Sequence, residues 1–336
     1  MGVVSGALFP LGESTKLCTL TPPVKTNRFL LLLAVLCIHI RQTNSYTTWC
    51  WNSYMEDEKK VIRKLKNWAL SIDNIRALIL TSSRADPLSS PDLLSDYDVE
   101  VFVNDTDYFI DNDDWLKDFG PIIVRWPSTP RPTFDKDWIT QLVLFSNNVR
   151  IDFQITSLGP GKSQNLSSGY SVIVDKDNLT ADLPLPTYPY RKIAKPTAEE
   201  FDSRMVAFWW DILYVAKGLC RQELNYAKYI LDGTIRFEKL QPVLKWYIGI
   251  QNDWNVNTGW QGRWFHKYLD KEIWQLYEKT FADADLKNNW KAMYATIELF
   301  RTVSRKVASS LGFTYPEDTD RKVTEYIEMV EKLNIK

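Results

Sequence analysis

Asp96 and Asp98 stand two residues apart in Ser95-Asp96-Tyr97-Asp98-Val99-Glu100-Val101, and a third aspartate, Asp152, lies in Arg150-Ile151-Asp152-Phe153-Gln154-Ile155. Both stretches read as strands. Side chains two apart on a strand face the same way, so Asp96 and Asp98 can aim their carboxylates at one point. Mg²⁺ takes oxygen ligands, usually one or two carboxylates plus substrate phosphates. The spacing therefore favours phosphoryl or nucleotidyl transfer over a structural ion cage. Aspartate is depleted in strands, and Ile151, Phe153 and Ile155 alternate with Arg150, Asp152 and Gln154, which sets Asp152 on the polar face.

Just upstream, Ala77-Leu78-Ile79-Leu80 reads as a buried strand that runs into the turn Thr81-Ser82-Ser83-Arg84-Ala85-Asp86-Pro87. Such a turn can hold a triphosphate. Its backbone N–H groups bind phosphate oxygens, the Ser83 hydroxyl adds a donor, and Arg84 supplies a guanidinium able to grip phosphate bidentately.

The order of phosphate turn, Asp-x-Asp strand and third-Asp strand resembles the aminoglycoside 6-adenylyltransferases (streptomycin adenylyltransferases) of the nucleotidyltransferase superfamily. The likeness runs from about Met55 to Tyr315. It is carried by Thr81 to Val103, Trp115-Leu116-Lys117-Asp118-Phe119-Gly120, Asp152, Val174-Asp175-Lys176-Asp177, Pro196-Thr197-Ala198-Glu199-Glu200-Phe201 and Tyr214 to Leu224. The resemblance implies transfer of AMP from ATP to a hydroxyl of a streptomycin-like aminoglycoside, with pyrophosphate released and ATP as co-substrate. It also hints that Lys176 approaches nucleotide phosphate, although Asp175-Lys176-Asp177-Asn178 reads as a turn. One position departs from the pattern: the family's turn reads Gly-Ser-Arg, and here Ser82 replaces the glycine. A Cβ there crowds close-approaching phosphates or disfavours the backbone conformation glycine allows. A catalytically weakened nucleotide-binding homologue is thus the alternative, together with a nucleotidyltransferase acting on a non-antibiotic hydroxyl.

In the expected mechanism a substrate hydroxyl attacks the α-phosphorus in line. Asp96 and Asp98 hold Mg²⁺, Ser82, Ser83 and Arg84 anchor the phosphates, and Asp152 either takes the hydroxyl proton or joins the metal ligands. The acceptor, small, cationic and hydroxylated, calls for acidic groups and aromatic walls. Glu199, Glu200, Asp211 and Glu223 are candidates, of which Glu223 and Asp211, beside helices bearing Trp209 and Trp210, are retained.

The elements that must position these groups follow from composition and periodicity. A chain of 336 residues with 45% apolar and 13% aromatic residues, among them 14 tryptophans, builds a large core and fits about two domains. The formal charge of −1 leaves no basic footprint for nucleic acid. Val61, Ile62, Leu65, Trp68 and Ala69 follow helical spacing. Strands are expected near 76–80, 97–103, 121–126, 138–145 and 149–157, the last two forming a hairpin through Ser146-Asn147-Asn148. Pro184, Pro186, Pro189 and Pro196 mark a linker, Thr197 and Glu200 have capping-box spacing, and apolar-periodic runs cover 208–230, 240–250, 268–281 and 290–311. The expected architecture is an α/β (α+β) nucleotidyltransferase domain with a mixed sheet over 55–183, a linker over 184–196 and an all-α helical substrate-binding domain over 197–336, with the cleft between the domains. A monomer is expected.

Residues 1–54 carry Cys18, Cys37 and Cys50 and have no counterpart in the resemblance; they are read as an unmatched extension, disordered or mis-assigned. The apolar segment 29–38 is about ten residues, too short to cross a bilayer, where about 20 are needed, so no membrane association is expected unless it is a targeting signal. The expected location is cytoplasmic, with secretory targeting through 25–41 as the alternative; the sequons at Asn104, Asn165 and Asn178 matter only then. Gly159-Pro160-Gly161-Lys162-Ser163 fails the P-loop spacing. With only His39 and His266 in the chain, a histidine-rich metal centre is excluded.

Overall fold

The computed structural model describes residues 56–110, 112–129, 137–163, 166–189 and 192–333. The extension, with its three cysteines and its apolar segment, lies outside the described residues, as do Asn165 and the turn residues 190–191. Among the described residues, no helix is long and apolar enough to cross a membrane.

Helix α1 (Glu58–Ser71) buries Val61, Leu65, Trp68 and Ala69, the i, i+4, i+7, i+8 stripe its sequence encodes. It packs on a six-stranded mixed sheet in the order β3-β4-β5-β2-β1-β6, built from β1 (Ile75–Thr81), β2 (Tyr97–Val103), β3 (Ile122–Trp126), β4 (Trp138–Phe145), β5 (Arg150–Thr156) and β6 (Tyr170–Asp175). β4 and β5 form the expected antiparallel hairpin. β2 and β5 pair in parallel, and β1 is antiparallel to both of its neighbours. β6 is an addition to the expected strands: its short Tyr-Ser-Val-Ile-Val run pairs with β1, far away in sequence. Asp114–Phe119 forms a 3₁₀ stretch between β2 and β3.

Aromatic packing locks the register that matters for chemistry. Phe153 of β5 meets Trp68, Trp115 and Phe119 at centroid separations of 5.6, 5.1 and 5.4 Å in edge-on contacts. Ile151, Phe153 and Ile155 are fully buried. Slipping β5 by one residue would move all of them to the opposite face, so the same core that holds Phe153 holds Asp152 on the other side.

The second core draws its buried residues from the helices that follow. Helix α2 (Ala198–Cys220) opens with the capping box: Thr197 accepts from the Glu200 amide at 3.1 Å, and Glu200 accepts from the Thr197 amide at 2.8 Å. Its buried Phe208 stacks on Phe300 of α7 (Leu286–Leu311) at 3.6 Å. Trp209 is core, whereas its neighbour Trp210 faces solvent. The apolar run through 208–230 is broken at Arg221–Glu223, where Gln222 adopts φ 61°; α3 (Leu224–Lys228) and a π-helical stretch, Tyr229–Leu240, follow. Next come α4 (Gln241–Gln251), α5 (Phe265–Tyr268), α6 (Lys271–Glu278), α7 and α8 (Glu317–Glu331). Cys220 is half-buried and reduced.

Candidate functional site

The parallel pairing of β2 with β5 sets Asp98 directly opposite Asp152, and Asp96 lies one residue before β2 begins. Three carboxylates from two distant stretches therefore share one face at the centre of the sheet. Burial, then the charges of Asp152 and Asp96, push the Asp98 carboxyl up to about 6, against the opposing pull of a Ser82 hydrogen bond and the Arg150 charge. Asp96 is raised too, mainly by burial, with Arg150 opposing.

Arg150 stands among them. Its Nε and Nη2 donate to the two oxygens of Asp152 at 2.9 and 2.8 Å, and its Nη1 lies 3.3 Å from Asp96. The hydrogen bonds to Asp152 raise the Arg150 guanidinium above its ordinary value. Because this arginine and Asp152 are two apart on one strand, they share a face, a signal visible in the sequence but left unused. Glu100 continues the same face beyond Asp98, opposite Gln154. It is buried and accepts from the Ser163 hydroxyl at 2.7 Å, which gives the P-loop-like segment a structural role.

The turn after β1 behaves differently from the expectation. Ser82 adopts φ 59°, the left-handed region where a Cβ is unfavourable, and its side chain hydrogen-bonds Asp98. Ser83 is half-buried on the same 3₁₀ turn, Ser82–Arg84. Arg84 has its donors engaged by the protein itself. Its guanidinium donates to the carbonyls of Asp96, Asp92 and Ser95 at 3.1, 3.1 and 2.8 Å and to Glu58 at 3.0 Å, and it lies 4.0 Å over the Tyr97 ring. With its fork filled by main-chain acceptors, Arg84 pins the 92–97 segment ahead of β2. Lys176 stands at the other end of the strand. It donates to the Ile72 carbonyl at 2.8 Å beside the start of β1, about 20 Å along the strand from Ser82 at roughly 3.3 Å per residue.

Asp211 pairs with Lys239 at 3.3 Å, and Glu223 is the exposed N-cap residue of α3. Neither lines the two cavities that flank the aspartates. The first cavity, about 520 Å³, opens beside Asp96 and is walled by Glu56, Glu58, Asp92, Arg84 and Arg150 among others. The second reaches Ser82 from the helical side.

Among the described residues, no set of three His, Cys, Asp or Glu side chains is already gathered tightly enough to cage a metal ion. The donor chemistry nevertheless suits a hard cation. Asp98, raised first by burial and then by the neighbouring carboxylates, gains from a divalent ion, and Mg²⁺ ordinarily completes its shell with substrate phosphate and water.

Comparisons with known proteins identify relatives of this chain. A family model described as streptomycin adenylyltransferase matches residues 55–330. The chain is 31% identical over 283 residues to an aminoglycoside 6-adenylyltransferase of Campylobacter jejuni, covering 81% of this chain and 95% of that protein. It is 28% identical over 279 residues to one of Bacillus subtilis (strain 168), covering 82% and 98%. A crystal structure of an aminoglycoside 6-adenyltransferase from Bacillus subtilis aligns with 83% of this chain and 100% of that one, at 25% identity and a TM-score of 0.42.

Proposed function

Because the chain belongs to the streptomycin adenylyltransferase family, we propose that it transfers AMP from ATP to a hydroxyl of a streptomycin-like aminoglycoside and releases pyrophosphate. The observation that carries this reading is the β2–β5 register, which faces Asp98 with Asp152 beside Asp96. Asp96 and Asp98 are the residues that would hold Mg²⁺, which when bound neutralises triphosphate charge.

The acceptor oxygen forms a bond to the α-phosphorus while the bond from that phosphorus to the oxygen bridging the β-phosphate breaks, and pyrophosphate leaves with the electron pair. Asp152 either takes the hydroxyl proton or joins Asp96 and Asp98 as a ligand. Arg150 orients Asp152 through two parallel hydrogen bonds, a geometry that fixes a carboxylate plane. Ser82 steadies Asp98. The excess of carboxylates around the first cavity draws a polycation toward Asp96. ATP as donor fits a cytoplasmic protein.

A second reading, a binding protein with slowed transfer, is favoured by one observation: Ser82 occupies a left-handed position that suits the glycine it replaces. One assay separates the two. Pyrophosphate release from ATP and Mg²⁺ that depends on streptomycin, with an adenylylated product seen by mass, supports the enzyme. Calorimetric binding of ATP with no streptomycin-dependent release supports the second reading and refutes the first.

A further inference from the structure

We propose that the cavity between the sheet and the helices is the docking site of the donor nucleotide, with Lys192, Lys245 and Arg263 holding its polyphosphate and Trp260 stacking on its base. This rests on the nucleotidyl-transfer reading and assigns the role that Arg84 does not fill.

The cavity measures about 830 Å³, within the range of roughly 300–1,000 Å³ usual for small-molecule sites. Its wall carries these three cations and no carboxylate. Among the described residues none of the three makes an ion pair, so their charge is uncompensated. A polycationic acceptor is repelled from such a wall and a triphosphate is drawn to it. The opposite holds at the acidic first cavity, so the aspartates stand between a positive and a negative approach.

Ser82 joins the cavity to the chemistry. Its residue lines the wall and its side chain reaches Asp98, so a nucleotide whose α-phosphate sits at Ser82 and Asp98 extends its remaining phosphates along the cations.

The backbone of one wall is built for presentation. Within ten residues the non-glycine Asp253, Trp254 and Gln261 all have positive φ, a region that Gly259 and Gly262 beside them enter freely. Such conformations persist only where surrounding contacts over-determine them, and they cluster at ligand clamps. Here the contacts are visible. The Trp254 indole packs so closely on Gly249 that a Cβ there would lie 2.6 Å from it, Gln241 donates to the Gln261 carbonyl at 2.8 Å, and the Gly259 amide is held by the Asn257 side chain at 2.8 Å. The result leaves Trp260 at the cavity with 77% of its surface exposed. A large indole held in water on a constrained turn is a platform for a planar base.

The test titrates the full chain with ATP and with adenosine, each with Mg²⁺, by calorimetry. Lys245→Met and Arg263→Met should each weaken ATP about 10- to 100-fold, as expected for loss of a charge-assisted phosphate contact. They should leave adenosine within about twofold and the unfolding midpoint unchanged; Lys245→Arg should keep most ATP affinity. Trp260→Ala should weaken both ligands together. Should the Lys245 variant fail to fold, Lys192→Met, at an exposed position, gives the same readout. ATP affinity that survives all the cation removals overturns the site, as does an equal loss for ATP and adenosine in them. If wild-type protein releases pyrophosphate with streptomycin while the variants keep their KM for ATP, the transfer reading stands and this site falls. If the variants lose ATP but no aminoglycoside serves as acceptor, the site stands and the acceptor reading falls.

Discussion

Replacing Ser82 tests the backbone of the candidate phosphate turn directly. At φ 59° a residue with a Cβ carries a cost of about 1–2 kcal/mol that glycine avoids. Glycine gives back roughly 0.5–1 kcal/mol through the greater freedom of its unfolded chain. Either substitution also removes the hydroxyl that bonds Asp98, a charge-assisted contact worth about 1.5 kcal/mol. Ser82→Ala keeps the strain and loses the bond, so it should destabilise by about 1.5 kcal/mol. Ser82→Gly loses the same bond but sheds the strain, leaving a net loss near 0.5–1 kcal/mol and a gap of roughly 0.5–1 kcal/mol between the two variants. Urea unfolding followed by tryptophan fluorescence reads this gap as a displaced midpoint at constant slope. The pyrophosphate assay should give the glycine variant a higher kcat/KM for ATP than the alanine variant, by roughly two- to fivefold if that gap of about 0.5–1 kcal/mol appears in the barrier. An alanine variant as stable as the glycine variant would refute the claim that this turn stores strain.

Asp98→Asn should abolish transfer yet stabilise the fold at neutral pH. The Asp98 carboxyl, at about 6 in place of 3.8, costs the folded state up to roughly 3 kcal/mol once ionised. A raised group favours folding below its unfolded value and loses that benefit as pH climbs through about 6, so the variant's advantage should grow between pH 4 and 7 and vanish in acid; thermal melts across this range that show a constant offset would contradict it. Arg84→Lys should lower stability by about 2 kcal/mol, because an ammonium cannot serve the same three carbonyls and Glu58 at once, while leaving the calorimetric affinity for ATP within about twofold; a large loss of affinity at full stability would restore Arg84 to the phosphate. Asp320→Asn should cost about 3 kcal/mol at pH 7, since buried Asp320 receives Arg301 twice at 2.6 Å and Tyr315 at 2.8 Å and breaking a buried pair leaves a stranded charge. Burial pushes the Asp320 carboxyl up, but those partners win and hold it below 3.8, so its contribution is present above that value and fades as acid titrates it; denaturation curves at pH 3 and 7 with an equal gap between variant and wild type would argue against this.

The strands that carry the aspartates were legible because their two faces differ: Ile151, Phe153 and Ile155 fill the aromatic core, and alternation that strong leaves one register. Thr197 and Glu200 likewise announced the start of α2, since both halves of a capping box are local. β6 was not legible, because a six-residue strand whose partner lies about 90 positions earlier has no turn beside it to declare the pairing. The carbonyl partners of Arg84 were not legible for a chemical reason: a guanidinium fork fits carbonyls as well as phosphate, and only tertiary placement shows which carbonyls it meets. Asp211 and Glu223 were chosen for charge beside tryptophans, but neither lines either cavity. Lys192, Lys245 and Arg263 share no motif, and only the folding of the linker and the 241–264 segment onto the helical core makes them neighbours. The pairing of Arg150 with Asp152 could have been read from their two-residue spacing.

That guanidinium has a wider consequence. Without ligand, the acidic centre already carries an internal counterion tethered to its own strand, so the resting protein tolerates clustered negative charge and stays folded. Any cation drawn to these carboxylates would first have to displace this resident from the two Asp152 oxygens it already holds.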